Sequence, residues 1–204
     1  MVVKKLPLYL GYRFEIIQTI KTTTDSKIDL CYDFLSRDKV IMAHFKKKYF
    51  HVSIQRLKEL KKLRHLNLVK VRSISHTDSM IIIVMDYVYG KQLSEILLEC
   101  RESEMENLKK WCGEIKEAIT FLHDIKPIGF LHGDIKAENI IIDSRNKAVL
   151  IDFSCFKEDL KQAHKDIRAT VAYAAENVLN LGIYDTDSDW HSFKMLEDRC
   201  LKKT

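Results

Sequence analysis

The sequence predicts an α+β chain in two parts: a small lobe of five strands over residues 1–86, then a helical large lobe over residues 87–204. Three observations carry this expectation. Up to Met85 the apolar residues come in short β-branched or aromatic runs divided by polar turns, with one amphipathic stretch set among them. After Gly90 the period lengthens to that of helices. Only two prolines and six glycines occur, so no linker of flexible composition separates the parts, and the joint is expected near residues 86–90.

Tyr12 to Ile20, Ile28 to Leu35 and Lys39 to Phe45 read as a three-strand meander. Ser53 to Leu63 has apolar residues at Ile54, Leu57, Leu60 and Leu63, the i, i+3 spacing of an amphipathic helix. Leu68 to Ser73 and Met80 to Met85 supply two further strands, the second apolar enough to be buried. Leu93 to Cys100 and Met105 to His123 read as helices, and Trp111, Ile115, Ile119 and Leu122 line one face of the longer one. Ile140 to Ile142 and Ala148 to Ile151 flank the polar run Asp143-Ser144-Arg145-Asn146, a hairpin signature.

The bulk properties exclude several classes. Of 204 residues 46% are hydrophobic and 31% charged, which is ordinary soluble globular composition rather than disordered or fibrous. The 34 Lys+Arg against 29 Asp+Glu leave only +5, and the basic residues are scattered apart from short clusters at Lys46-Lys47-Lys48 and Lys202-Lys203. Such clusters are commonly solvated faces, so no nucleic-acid motif is read from them. The five cysteines form no CxxC pair, which argues against a disulfide framework or a zinc site and for a reducing compartment. Met1 to Pro7 lacks a signal-peptide core, and no segment reaches the roughly 20 apolar residues of a membrane span. An intracellular protein, cytoplasmic or nuclear and without a membrane anchor, is expected.

Chemistry is concentrated in Leu131-His132-Gly133-Asp134-Ile135-Lys136-Ala137-Glu138-Asn139 and in Val149-Leu150-Ile151-Asp152-Phe153. Phosphoryl transfer to a hydroxyl needs a carboxylate to orient the acceptor, oxygen ligands for magnesium and a cation near the γ-phosphate. The first segment places residues of all three kinds in one short loop. On these residues the chain resembles the eukaryotic protein kinases, whose catalytic loop reads H-R-D-x-K-x-x-N in outline. The resemblance implies a two-lobe kinase-like fold, ATP and Mg²⁺ as cofactors, Asp134 as catalytic base, Lys136 as the γ-phosphate cation, and Asn139 and Asp152 as magnesium ligands. Other segments follow in family order. Ile83 to Gly90 looks like the hinge that binds adenine through its backbone, with Asp86 and Val88 making those contacts. Arg64 to Val69 resembles the turn after the first-lobe helix. Thr170, Tyr173 and Ala175 fall on the G-T-x-x-Y-x-A-P-E segment, and Ser188-Asp189-Trp190-His191-Ser192 resembles the start of the helix whose Asp holds the catalytic loop. Lys136 and Thr170 together resemble the serine/threonine branch. Ile20, Ile28, Ala43 and Ile141 would enclose the nucleotide base, and Leu60, Val71, His132 and Phe153 would stack as the family's internal spine.

The chain also departs from the family pattern. Lys21, Thr23 and Ser26 replace the three glycines of the phosphate loop, whose backbone N–H groups need close approach to ATP. Lys21 or Lys27 could compensate as a phosphate cation, against a bland reading as a surface turn. Lys46 is the candidate for the lysine on the α- and β-phosphates. If Ala43 covers adenine, however, the period-two rule puts Phe45 on the ATP side and Lys46 on the other. Arg56 stands where the family glutamate would pair with that lysine. Gly133 replaces the arginine that reads an activation-loop phosphate, and no Ser, Thr or Tyr lies between Cys155 and Ala169. Ser154 replaces the glycine of the D-F-G motif. Asn177 replaces the last glutamate of the A-P-E motif, and the chain stops before the helix that would carry its arginine partner.

Two functions from different classes follow. One is a serine/threonine protein kinase transferring the γ-phosphate of Mg-ATP to a protein hydroxyl. The other is a catalytically weak or inactive pseudokinase, mimicking a kinase or regulating a partner kinase. A helical lobe truncated near Thr204 is further expected to leave apolar surface on the helices at Met105–His123 and near Asp189. That surface would be covered by oligomerisation or by docking on another protein.

Overall fold

In the computed structural model, residues 12–47, 54–99, 105–153, 157–158 and 170–201 are described. Expectations that rest on Met1 to Pro7, Ser53, Ser154 or most of the Cys155–Ala169 stretch lie outside these residues. The chain divides into two compact units, one of residues 1–49, 54–63 and 70–87, the other of residues 50–53, 64–69 and 88–204.

The first unit is built on an antiparallel sheet of β1 (Phe14–Thr22), β2 (Ser26–Asp33), β3 (Asp38–Lys46), β4 (Val71–His76) and β5 (Met80–Asp86), in the order β1-β2-β3-β5-β4. The strands in the middle bury both faces. Phe14, Cys31, Val40, Met42, Ile82 and Val84 form one cluster, while the alternate residues Ala43, Phe45, Ile81 and Ile83 are equally buried. The continuous run Ile81 to Met85 is buried throughout, as its composition requires. β1 is an edge strand, exposed beyond Phe14 and bulged at Ile16/Gln18 and Thr19/Lys21.

The β2–β3 register runs unbroken from Ser26↔Phe45 to Asp33↔Asp38. Asp33 closes its turn by accepting the Leu35 N–H at 3.1 Å and the Ser36 hydroxyl at 2.9 Å. Arg13 clamps the same carboxylate with two bonds of 2.8 Å. Arg72 extends the network by donating to Asp86 and, at 3.2 Å, to Asp38. Helix α1 (Ile54–Leu60) is shorter than the expected 53–63. The Lys62 and Leu63 N–H groups turn back to Glu59 and Leu60, three residues earlier, so the helix tightens and ends before Leu63.

The second unit contains β6 (Gly90–Gln92), α2 (Leu93–Glu99), α3 (Met105–His123), β7 (Phe130–Leu131), a 3₁₀ turn (Ala137–Asn139), β8 (Ile140–Asp143), β9 (Ala148–Leu150), β10 (Lys157–Glu158), α4 (Glu176–Leu181) and α5 (Thr186–Leu201). The expected strand from Leu68 begins instead at Val71. Leu68 makes a single parallel bridge to Leu150, held by Val69 N–H to the Leu150 carbonyl at 3.0 Å and Leu150 N–H to the Asn67 carbonyl at 2.9 Å. Residues 67–69 are thereby drawn onto β9.

β8 and β9 form the expected hairpin, with Asn146 in the left-handed region at φ 60° and Asp143 accepting the Arg145 and Lys147 N–H groups. β6 adds to β8. Here Gly90 is needed, because a Cβ would lie 2.1 Å from the Ile142 carbonyl oxygen. α3 buries Trp111, Ile115, Ile119 and Leu122 as its spacing predicts, and Glu114 ties it to β9 by accepting the Ala148 N–H at 2.8 Å.

The expectation of uncovered apolar surface on these helices is not met among the described residues. α3 exposes no large apolar side chain and α5 exposes only Met195. Their solvent stripes carry Glu106, Lys109, Lys110, Lys116 and Glu117 on α3, and Asp187, His191 and Lys194 on α5, so the helical period puts charge where apolar residues were expected. No described helix is long and apolar enough to cross a membrane.

Candidate active site

The loop from β7 to the 3₁₀ turn carries the site. Its path is set from below by Asp189 in the first turn of α5, 2% exposed. One Asp189 oxygen accepts the His132 N–H at 2.8 Å and the other the Gly133 N–H at 2.9 Å, while His123 Nε2 approaches at 3.0 Å. Gly133 has φ 78°, a left-handed conformation that glycine adopts without a Cβ penalty. His132 is fully buried; its Nε2 lies 3.0 Å from the Ile151 carbonyl and its Nδ1 faces the Asp134 N–H at 3.4 Å. Nδ1 is therefore the acceptor and the ring proton sits on Nε2. Its ring lies 6.1 Å from that of Phe153, so two members of the expected spine are neighbours. The other two, Leu60 and Val71, are buried in the first unit.

Asp134 is held on both carboxylate oxygens. Thr170 donates its hydroxyl to Oδ1 at 2.8 Å, and Oδ2 meets Lys136 Nζ at 2.6 Å and Asn139 Nδ2 at 3.0 Å. Lys136 also donates to the Thr170 hydroxyl at 2.7 Å, closing a three-residue ring. Burial by itself would push the Asp134 carboxyl up. The hydrogen bond and positive charge of Lys136, with the Thr170 hydroxyl, outweigh it and hold the group below the usual carboxylate range.

Asn139 is 6% exposed, and its Nδ2 also donates to the Asp134 carbonyl at 2.8 Å. With the amide nitrogen committed, Oδ1 is the atom left to act as a ligand. Asp152 follows Ile151, whose N–H is bound to the Asn139 carbonyl at 2.8 Å, and has φ 69°. A left-handed aspartate costs roughly 1 kcal/mol, which surrounding contacts must offset. Among the described residues no three His, Cys, Asp or Glu side chains gather as a metal site. Asn139 and Asp152 each offer a side-chain oxygen, and the Ile151 N–H bond to the Asn139 carbonyl joins their two segments.

The nucleotide residues expected from the sequence are divided between the units. Ile20, Ile28, Ala43, Lys46 and Asp86 belong to the first, Val88 and Ile141 to the second with Asp134, Lys136, Asn139 and Asp152. Ile28 and Ala43 are cross-strand partners. Ile20 is 52% exposed beside a bulge of β1. Ile141 pairs with Gln92 and Val149 on either side, and Asp86 is engaged by Arg72. Lys46 forms an ion pair with Asp25 at 3.7 Å, and Phe45, two residues after Ala43 on the same strand, is 1% exposed. Arg56 pairs with Glu59 on its own helix.

The turn replacing the glycine loop closes on itself. The Thr23 hydroxyl accepts the Asp25 N–H at 3.2 Å and the Ser26 N–H at 3.0 Å, and Thr23 N–H donates to the Ser26 carbonyl at 2.8 Å. Lys27 is engaged by the buried Asp29 at 2.7 Å.

Tyr173 and Arg199 join the site without having been singled out for the role they play. Arg199 donates to the Tyr173 hydroxyl at 2.5 Å, and the Ser192 hydroxyl donates to the Tyr173 carbonyl at 2.8 Å. The available signal is spacing: Asp189, Ser192 and Arg199 share one face of α5. Asn177, in place of the family glutamate, donates to Asp185 at 3.4 Å.

The model of the protein kinase domain matches residues 24–196. The chain belongs to the eukaryotic-type serine/threonine protein kinase family. This kinase-family chain is 31% identical over 147 residues to serine/threonine-protein kinase Sgk2 of Homo sapiens, covering 71% of the chain and 39% of that relative. It is 30% identical to serine/threonine-protein kinase Sgk1-A of Xenopus laevis over 147 residues, covering 71% of the chain and 33% of that relative. The chain therefore spans well under half the length of these curated relatives. Among solved structures, the Cydia pomonella granulovirus kinase PK-1 superposes with a TM-score of 0.76 at 18% identity, over 95% of this chain and 72% of that one, a likeness of fold. The kinase-like α+β fold expected from the sequence, with its five-stranded small lobe, is the fold of this chain.

Proposed function

We propose that the chain transfers the γ-phosphate of Mg-ATP to a protein serine or threonine hydroxyl, with Asp134 as the base. The observation that carries this reading is the ionised Asp134 carboxylate, accepting a hydroxyl from Thr170 at 2.8 Å and balanced by Lys136 at 2.6 Å. An acceptor hydroxyl would donate to Asp134 in the same way, which aims its lone pair and gives its proton a destination as the new bond forms. Lys136 offsets the carboxylate and offers its ammonium to phosphate oxygens. Asn139 Oδ1 and the Asp152 carboxylate fit magnesium by their oxygen donors and would hold it. When bound it neutralises charge on the transferring phosphate.

The fit to the nucleotide phosphates is poorer. The Thr23–Ser26 turn uses its own N–H groups, Phe45 two residues after Ala43 is a buried apolar side chain, and Arg56 is paired with Glu59. These observations favour a second reading, a pseudokinase that regulates a partner kinase. Removal of a phosphate-gripping group commonly costs on the order of 10²-fold in rate without abolishing transfer, so phosphotransfer remains the preferred reading. The apolar surface that would favour oligomerisation or docking through α3 and α5 is reduced to the single exposed side chain of Met195 on these two helices.

The test is phosphotransfer from radiolabelled ATP to casein, alongside thermal melting with and without Mg-ATP, for wild type, Asp134→Asn and Asp152→Asn. Label transfer by wild type alone supports the enzyme. Melting unchanged by millimolar Mg-ATP, with no transfer, would overturn it in favour of the pseudokinase.

A further inference from the structure

The ring of Asp134, Lys136 and Thr170 is only as well placed as Thr170, which enters from a segment remote in sequence. That segment is held by its own turn, with Tyr173 N–H on the Thr170 carbonyl at 2.9 Å and Ala174 N–H on the same atom at 3.1 Å. Beyond the turn Tyr173 is 6% exposed and gripped at both ends: its carbonyl accepts from Ser192 at 2.8 Å and its hydroxyl from Arg199 at 2.5 Å. Both donors project from α5, two helical turns apart. The same face carries Asp189, which holds the Gly133 N–H next to Asp134 at 2.9 Å.

One helix face therefore grips both sides of the carboxylate, the catalytic loop through Asp189 and the Thr170 segment through Ser192 and Arg199. Gly133 stands where an arginine could read a phosphate, and the sequence from Phe156 to Arg168 has no hydroxyl residue to phosphorylate.

We infer that Arg199 is a positioning residue for phosphotransfer, fixing Thr170 against Asp134 through its hydrogen bond to Tyr173. This rests on the proposed function. Loss of the Arg199 bond frees the Tyr173 hydroxyl, loosens the turn at Thr170 and lets the ring around Asp134 open. Nucleotide contacts are untouched, so the cost falls on kcat and not on the KM for ATP.

The test uses the full chain with Arg199→Met, Arg199→Lys, Tyr173→Phe and the double variant Arg199→Met/Tyr173→Phe. Casein phosphorylation is measured together with the ¹H–¹⁵N resonances of Thr170 and Gly133. The expected result is a fall in kcat on the order of tenfold for Arg199→Met and for Tyr173→Phe. No further loss is expected in the double variant, and partial recovery is expected in Arg199→Lys. The Thr170 amide should shift in each deficient variant while Gly133, held by Asp189, stays in place.

A folded Arg199→Met protein with unchanged kcat and an unmoved Thr170 amide overturns the inference, as does additivity in the double variant. Should Arg199→Met fail to fold, Tyr173→Phe, which keeps its ring buried, carries the same test. Wild type without label transfer would sink the proposed function alone, and the Thr170 resonance would then decide the positioning role on its own.

Discussion

Replacing Asp33 by Asn should remove a pH-dependent part of the stability of the first unit. Two Arg13 bonds of 2.8 Å draw the Asp33 carboxyl down; burial opposes them, and the Ser36 hydroxyl and Leu35 N–H add to the pull, leaving it at about 2 against an ordinary 3.8. A carboxyl that ionises more readily folded than unfolded stabilises the fold at neutral pH. The difference corresponds to about 2 kcal/mol, and about 1 kcal/mol once screening at the 35% exposed Arg13 side chain is allowed for.

The contribution is complete above about pH 4, declines as the pH falls toward about 2, and vanishes once the group is protonated in both states. Asn has no carboxyl to titrate and turns an amide N–H₂ toward Arg13 or Ser36. Urea unfolding followed by circular dichroism at about pH 7, 5, 4 and 3 should give a wild-type advantage of about 1–2 kcal/mol at neutral pH that shrinks by about half at pH 3. An advantage equally large at pH 3 and pH 7 would refute the reasoning, because it would mean that Asp33 acts through shape alone.

Other perturbations separate the parts of the molecule. Lys136→Met leaves the Asp134 charge without its cation and Thr170 without a donor, so label transfer should fall on the order of 10²-fold or more, with Lys136→Arg retaining part of it. Gly90→Ala should cost about 1–3 kcal/mol in thermal unfolding, as its Cβ would lie 2.1 Å from the Ile142 carbonyl and force β6 off β8. The exposed Gly113 in α3 meets nothing within 4 Å, so Gly113→Ala should stabilise by about 0.5–1 kcal/mol in the same assay. Thr23→Gly with Ser26→Gly frees the N–H groups of residues 25 and 26 from the Thr23 hydroxyl, and calorimetric titration with Mg-ATP should show tighter binding than wild type. Unchanged affinity would mean that this turn does not limit the grip on phosphate.

The parts of the site that could be read beforehand are those whose chemistry is local. His132 to Asn139 carries its base, cation and amide within one short segment, and the β8–β9 hairpin brings Asp152 beside it by a turn whose polar residues are visible in the chain. The buried face of α3 follows directly from helical spacing. The end of α1 and the start of β4 were misplaced because competing partners, the tightened turn at Lys62 and the bridge from Leu68 to Leu150, override local preference. β6, β7 and β10 are two or three residues long, too short for any period, and exist only because a neighbour pairs with them. The exposed apolar surface expected on α3 and α5 came from family analogy, whereas their own sequences place charge on those stripes.

By itself the sequence determined a kinase-like chain with Asp134, Lys136, Asn139 and Asp152 in order, since motif order and hydrophobic period survive in one dimension. Only the tertiary structure decided what those residues rest on. Asp189 beneath Gly133, Thr170 against Asp134 and Arg199 on Tyr173 join residues 26 to 56 apart in the chain. Each is a hydrogen bond between groups common throughout the chain, one from a backbone N–H and two between side chains, so only the packed fold selects its partner.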